Sequence, residues 1–462
     1  MPALRTLSII EINGIGFSDS ECEKLKKIMK EKLSSLEKQC YQLAGRTFSL
    51  TSPDDVGRVL FLDLALPCDG AGSDNGRATR ASRAGCAKSK TKHFRTSKDV
   101  LEKLVKYHRL PKLILQWRKI NSTLTKIVYP VQRKKIEGVV GFSPLHRVYC
   151  EAQFHTNTGR VTFTEPNIQN VPKEFDVKIY SPGDSRSSSS HADSPGLVKV
   201  VSMRSTFVPS QGSVFVSADY SQLELRIMAH LSSDTKLLDA INNSKDVFKT
   251  IACEIYRVGC VDDVSGVQRQ QAKQVCYGIL YGIGAKSLSE QLGTSEDEAA
   301  MFVESFKRKY KGVNNFIKKS IENCRKNGYV QTMAGRKRYL PSITSLESHA
   351  RAQAERQSVN TVVQGSAADL VKSAMNRIHA KLYEKFASPC LKTKNLSAKA
   401  LVQRGAFLVL QIHDELLYEV NGKDVDLVVQ IIREGMENAY KLSVKTPVKI
   451  HIGNSWGNLK DV

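Results

Sequence analysis

The sequence predicts an α+β protein in which an antiparallel sheet carries the chemistry and helices build the remaining parts. Three stretches predict it. Ser213 to Arg226 reads as a short buried strand running into a helix; Gly405 to Val420 reads as two apolar runs broken by a polar triplet; Arg269 to Gly282 reads as a helix with a polar stripe.

In the first stretch Val214 and Val216 alternate with Phe215 and Ser217, bounded upstream by Gln211-Gly212, which is the pattern of a strand ending at Asp219. From Gln222 the apolar residues change to helical spacing: Leu223, Ile227 and Leu231 share one face, with Leu225, Met228 and Ala229 beside it. A carboxylate at a strand's end either binds a metal, takes a proton or caps the following helix, and Asp219 alone does not decide among these. In the second stretch the apolar runs flank His413, Asp414 and Glu415, so a hairpin would carry carboxylates at its tip. An acidic turn with no chemistry has the same pattern. In the third, Arg269, Lys273, Tyr277 and Tyr281 recur every fourth residue and form one slowly drifting helical stripe. Two cations followed by two aromatics can grip a polyphosphate and stack on a base, or they can be a solvated basic edge.

Earlier in the chain, Ser18-Asp19-Ser20-Glu21 is a capping-box pattern. Leu25, Ile28, Met29, Leu33, Leu36, Cys40 and Leu43 then mark one face of a long helix before Gly45, with Lys24, Lys26, Lys27, Lys30 and Lys32 on the other. Periodicity is lost near 68–95, where Arg77, Arg80, Arg83, Lys88, Lys90, Lys92 and Arg95 make a basic flexible insertion able to touch phosphates. Helical patterns resume near Ser97, and Arg133-Lys134-Lys135 adds a basic cluster. Two further loop-like breaks fall near 180–196 and 387–405, between the three stretches.

At 462 residues the chain exceeds what one core usually holds, so two or three subdomains are expected. Lys and Arg number 69 against 46 Asp and Glu, a formal charge of +23 that argues for nucleic acid before membrane as partner. No apolar run approaches the length of a membrane span and no signal peptide is read, so neither insertion nor secretion is expected. Ten cysteines lack a C-x-x-C pair, which fits reduced thiols in cytosol or nucleus. Met1 precedes the patterned sequence so closely that the chain reads as a fragment with an added start.

Taken together the three stretches resemble the three signature motifs of family A DNA polymerases, the group that includes bacterial DNA polymerase I. The first corresponds to Asp219-Tyr220-Ser221-Gln222-Leu223-Glu224-Leu225-Arg226, the second to Arg269, Lys273, Tyr277, Tyr281 and Gly282, and the third to His413-Asp414-Glu415. Thr158-Gly159-Arg160 with Glu165 to Pro172 is similar to the family's primer-template segment. Ala354-Glu355-Arg356-Gln357 through Asn360 to Asp369 is similar to its later DNA-contacting helix. The runs Arg269–Gly278 and Tyr281–Leu288, the opening Leu7–Ser18 and the ending Trp456–Val462 most resemble an error-prone repair branch of the family.

The resemblance implies a right-hand polymerase fold: a thumb over 1–150, a palm from 151–223 and 405–462, and fingers with adjoining helices over 224–404. It implies transfer of a nucleotide from a deoxynucleoside triphosphate to a primer 3′-hydroxyl with two Mg²⁺ ions, for which Mn²⁺ could substitute. Asp219 and Asp414 with the Tyr220 carbonyl would be the metal ligands, and Glu415 a helper that orients water or the primer end. Arg269, Lys273 and Gln222 would hold the triphosphate, Tyr277 the sugar and base, and Tyr281 the templating side. Glu224 would crowd the 2′ position and reject ribonucleotides. Arg160, Gln169, Asn170, Arg356, Asn360, Gln364 and His413 would contact DNA, reading acceptors shared by all correct pairs. Phe248 departs from the bacterial pattern, which has a triphosphate-touching His there; Lys249 is the candidate replacement.

The resemblance further implies primer-template DNA and single-stranded DNA ends as partners, a nuclear location, no proofreading, lesion bypass and end joining through short homologies. A related repair polymerase of the same family is the alternative within the class. A basic scaffold that merely holds DNA ends is the alternative outside it, and it would need the basic surface but not Asp219, Asp414, Arg269 and Lys273.

Overall fold

The computed structural model describes residues 2–67, 94–137, 145–172, 175–178, 198–386 and 405–462. The breaks expected at 68–95, 180–196 and 387–405 lie outside these residues except at their edges. The chain divides into two compact units. One comprises residues 1–16, 138–169 and 208–462, and the other residues 17–137 and 170–207.

The smaller unit is built on α1 (Asp19–Ala44) and α2 (Leu110–Thr123). Ser18 caps α1 by accepting from the Glu21 N–H at 3.4 Å, and Gly45 ends it at φ 69°, a left-handed conformation that favours glycine. The apolar face is the one the spacing predicts: Leu25, Met29, Leu36 and Cys40 are buried, joined by Cys22, while Ile28, Leu33 and Leu43 are half-buried. Burial pushes the thiols of Cys22 and Cys40 up to about 12, so both are inert core groups. On the polar face Lys26 pairs with Glu23 at 2.9 Å, and from the basic cluster Lys135 pairs with Asp19.

The larger unit is organised on a five-stranded sheet. Its strands are β1 (Ser213–Tyr220), β2 (Ala406–Ile412), β3 (Glu415–Asn421), β4 (Val448–Gly453) and β5 (Lys460–Asp461), in the order β2-β3-β1-β4-β5 with antiparallel pairing throughout. Phe215, Val216, Ser217 and Ala218 are all buried, so β1 is covered on both faces and its sequence shows little polar alternation. The helices that matter to the site are α3 (Leu223–Ser232), α4 (Val247–Tyr256), α5 (Gly266–Tyr281) and α6 (Ser348–Phe386).

A full capping box starts α5. The Gln268 N–H donates to Ser265 Oγ at 3.2 Å, and the Ser265 N–H donates to Gln268 Oε1 at 2.9 Å. Ser265→Ala removes one of these bonds and should cost about 1 kcal/mol, read as a lower midpoint in urea. Gly282 closes α5 at φ 64°, and a Cβ there would meet Arg356 Cγ of α6 at 2.8 Å. Both the turn and the close approach therefore require glycine.

Candidate active site

Strand pairing brings the carboxylates together. Glu415 opens β3 directly opposite Asp219 of β1, and Lys449 of β4 stands opposite Asp219 on its other side. Directly opposed residues of an antiparallel sheet project to the same face, so Asp219 lies between a carboxylate and an ammonium. His413 and Asp414 form the turn between β2 and β3, and the Tyr220 N–H donates to the Asp414 carbonyl at 3.3 Å. The hairpin tip is thereby tied to the end of β1. The N-cap position of α3 is Gln222, three residues beyond Asp219, which sets aside the helix-cap reading of that aspartate.

Both ends of this junction are conformationally costly. Gln222 has φ 50° and His413 φ 51°, left-handed values that a non-glycine residue rarely adopts, and the two positions flank the carboxylates. Asp414 is pushed up to about 7, mainly by desolvation and then by the neighbouring Glu224 and Asp219, with Arg160 opposing. Glu415 Oε1 accepts from Ser217 Oγ at 2.6 Å, so a strand hydroxyl fixes the orientation of the third acidic group.

Glu224 is buried at 4% exposure and satisfied on both oxygens. Oε1 pairs with Arg160, and Oε2 accepts from the Tyr281 hydroxyl at 2.6 Å. The last turn of α5, the first turn of α3 and the Thr158-Gly159-Arg160 segment thus meet at one carboxylate. Desolvation first, then Glu224 and Asp414, push the Tyr277 phenol up to about 12, so it stays protonated at neutral pH. Its ring stacks on Tyr281 with centroids 6.0 Å apart. Arg269, one turn before Lys273 on the same helix, donates from Nε to Asp246 Oδ2 at 2.6 Å.

The remaining expected residues are placed as follows. Gln169 donates from Nε2 to the carbonyls of Val161 at 3.1 Å and Gln411 at 2.8 Å, so its amide hydrogens serve to tie its segment to β2. Asn170 is exposed and begins the second segment of the smaller unit. Arg356, Asn360 and Gln364 recur every fourth residue on α6, and Asn360 carries a buried Oδ1 with no partner among the described residues. A small pocket beside Asp414 is lined by Arg160, His413, Gln411 and Lys372 among others. Phe248 is buried, with its ring centroid 6.1 Å from that of Tyr277, which explains why an apolar residue stands there.

Sequence reasoning gave no role to Ser217, Asp246, Lys449 or Lys372. Asp246 proves to be the N-cap of α4 and bonds Arg269. The other three occupy ordinary strand or helix positions, and only pairing across the fold brings them to the site.

The donor set suits a hard divalent cation: two aspartates and a main-chain carbonyl, all oxygen. Among the described residues no group of three or more His, Cys, Asp or Glu side chains forms a metal cage. A cation held here would draw further oxygens from water or from a phosphate-bearing substrate, as Mg²⁺ commonly does. No described helix is long and apolar enough to cross a membrane.

A family model described as DNA polymerase family A matches residues 19–458. The chain is 45% identical to DNA polymerase theta of Mus musculus and 34% identical to that of Drosophila melanogaster, in each case over 100% of this chain and 20% of the relative. It is 33% identical to DNA polymerase I of Bacillus caldotenax, over 99% of this chain and 45% of that protein. The chain therefore spans a fifth to less than half the length of these curated relatives. Among solved structures, the POL domain of Pol1 from M. smegmatis in complex with DNA primer-template and dNTP matches with a TM-score of 0.77 at 29% identity. That match covers 99% of this chain and 70% of that one.

Proposed function

The chain belongs to DNA polymerase family A, a family of DNA-directed DNA polymerases, and we propose that it extends a primer 3′-hydroxyl on a DNA template from deoxynucleoside triphosphates. The observation that carries this reading is the sheet junction. Asp219, near the end of β1, and Asp414, in the turn that leads into the adjacent β3, lie within electrostatic reach of each other, and Tyr277 of α5 lies within the field of both.

Family A polymerases use divalent metal ions, and here Asp219, Asp414 and the Tyr220 carbonyl would hold them, with two Mg²⁺ as the proposed occupants. When bound, such ions would lower the pKa of the attacking hydroxyl and offset charge on the phosphates. Everything else is positioning by the chain. Arg269 and Lys273 bind the triphosphate with Gln222 beside them, the guanidinium offering a fork and the ammonium a point charge. Tyr277 packs on the sugar and base, and Tyr281 occupies the templating side while it is bonded to Glu224. Glu224, pinned by Arg160 and Tyr281, fills the 2′ position and leaves a ribose hydroxyl no room. Glu415, held by Ser217, orients the primer end. Arg160, Gln169, Asn170, Arg356, Asn360, Gln364 and His413 contact the primer-template.

Beyond the chemistry, we assign the chain to nuclear repair of double-strand breaks, joining single-stranded ends through short homologies and bypassing damaged bases without proofreading. The identity to the theta relatives supports this assignment. The test is extension of a labelled primer in three settings: matched, mismatched, and on two ends sharing a few complementary bases. Extension in all three, abolished by EDTA and restored by Mg²⁺, is the expected result. Extension of the matched primer alone would retain the polymerase and withdraw the end-joining role; DNA binding with no extension would favour a scaffold.

Tyr277 also sets how the sugar is judged. Tyr277→Phe is expected to reduce incorporation of dideoxynucleotides by at least about tenfold, or about 1.4 kcal/mol in the transition state, with deoxynucleotide incorporation little changed. Competition between the two nucleotides on one primer measures it.

A further inference from the structure

Arg269 is held before any nucleotide arrives. Asp246, the N-cap of α4, divides its two carboxylate oxygens between separate tasks. Oδ1 accepts from the N–H groups of Phe248 at 3.1 Å and Lys249 at 3.2 Å, and Oδ2 accepts from Arg269 Nε at 2.6 Å. The guanidinium carbon also lies 5.9 Å from the centroid of the Phe248 ring, which is itself buried. The side chain of Arg269 is therefore fixed at two points, one charged and one aromatic, both belonging to the first turn of α4. Partial burial raises the Asp246 carboxyl, but the bonds from Arg269 and from the helix N–H groups outweigh it and leave the carboxyl below its ordinary range.

A long side chain loses rotamer freedom when it grips a ligand, and a residue already confined loses less. With Nε engaged, phosphate binding falls to the two Nη groups, and a clamp on Nε sets the direction in which that fork points.

We propose that Asp246 is a positioning residue for the nucleotide triphosphate: it orients Arg269 through Nε, with Phe248 as the second wall, so that the guanidinium is preset for the phosphates. The proposal rests on the reading of Arg269 as a triphosphate ligand. Asp246 touches no substrate itself, and its effect belongs in nucleotide binding rather than in the chemical step.

Asparagine separates the two tasks of Asp246, because its Oδ1 caps a helix about as well as aspartate while its amide cannot accept from Arg269. For Asp246→Asn the expected result in steady-state single-nucleotide extension is a KM for dNTP raised about five- to tenfold, with kcat within twofold and the thermal midpoint unchanged. Asp246→Ala, which also loses the cap, should show the same rise in KM together with a lower midpoint. In a cycle with Arg269→Ala, which alone should raise KM further, adding Asp246→Asn should change nothing more, since the carboxylate acts only through the guanidinium.

An unchanged or lowered KM in Asp246→Asn, with KM raised in Arg269→Ala, would overturn the positioning role while leaving the triphosphate reading intact. Additive effects in the double variant would overturn it as well. If Arg269→Ala itself left KM unaltered, the triphosphate reading would fall and the role of Asp246 with it.

Discussion

Asp414→Asn is expected to abolish primer extension, by at least about 10³-fold in kcat, while primer-template binding persists. The magnitude corresponds to about 4 kcal/mol of transition-state stabilisation, within what loss of a metal ligand removes. The accompanying stability change has the opposite sign. Desolvation and the adjacent Glu224 and Asp219 push the Asp414 carboxyl up to about 7, so without metal the native state holds a proton that the unfolded chain has released. Between an ordinary aspartate value of about 4 and about 7 the native protein binds more protons than the unfolded one, and stability falls as pH rises through that window. Asparagine removes the ionisation altogether. The metal-free variant should therefore melt no lower than the parent at pH 8, and calorimetry in EDTA beside extension assays in Mg²⁺ reads both halves. Loss of activity with a markedly lower midpoint would instead mean that Asp414 serves the fold. The same raised value makes metal binding a competition with protons: the Mg²⁺ needed for half-maximal extension by the parent should climb below about pH 7, approaching tenfold per unit.

Glu419→Ala should destabilise the larger unit by about 3–5 kcal/mol, the cost of leaving a buried charge without its partner. Glu419 lies within β3 at 2% exposure and pairs through Oε2 with Arg147 Nη2 at 2.8 Å, while its Oε1 accepts from the Ser210 N–H at 2.8 Å. Arg147 also donates to the carbonyls of Asn13 at 2.7 Å and Gly14 at 3.0 Å, and to Ser210 Oγ at 3.1 Å. One ion pair thus joins the sheet, the segment before β1 and the turn after the N-terminal helix Pro2–Asn13. Because Glu419 is four residues along β3 from Glu415, the first effect of its loss falls on the strand that positions the hairpin tip. Urea unfolding followed by circular dichroism measures it. A loss below about 1 kcal/mol would show the pair to be replaceable by water.

The candidate site was legible to different depths. Asp219, Asp414, Arg269, Lys273, Tyr277 and Tyr281 were legible because each sits in a local pattern: a strand's end, a hairpin tip or a stripe at helical spacing. The cap at Ser18, the left-handed stop at Gly45 and the core face of α1 were legible for the same reason. Their physics is complete within a few turns of chain. Asp246, Ser217, Lys449 and Lys372 were not visible as site residues. The bonds from the Gln169 amide to Val161 and Gln411 were not visible either.

By itself the sequence determined the element types, the α+β class, the basic character that suits a polyanionic partner, and the residue kinds from which a metal and a triphosphate can be held. Local periodicity and formal charge are properties of neighbours in the chain, so no long-range contact is needed to read them. The tertiary structure decided which carboxylates meet. It set Glu415 opposite Asp219, Arg160 and Tyr281 on Glu224, Asp246 on Arg269 and Arg147 on Glu419. These partners lie from 23 to 272 residues apart in the chain. A charge's partner depends on which strands pair, in what register, and what is left dehydrated between them, and those quantities exist only once the chain has folded.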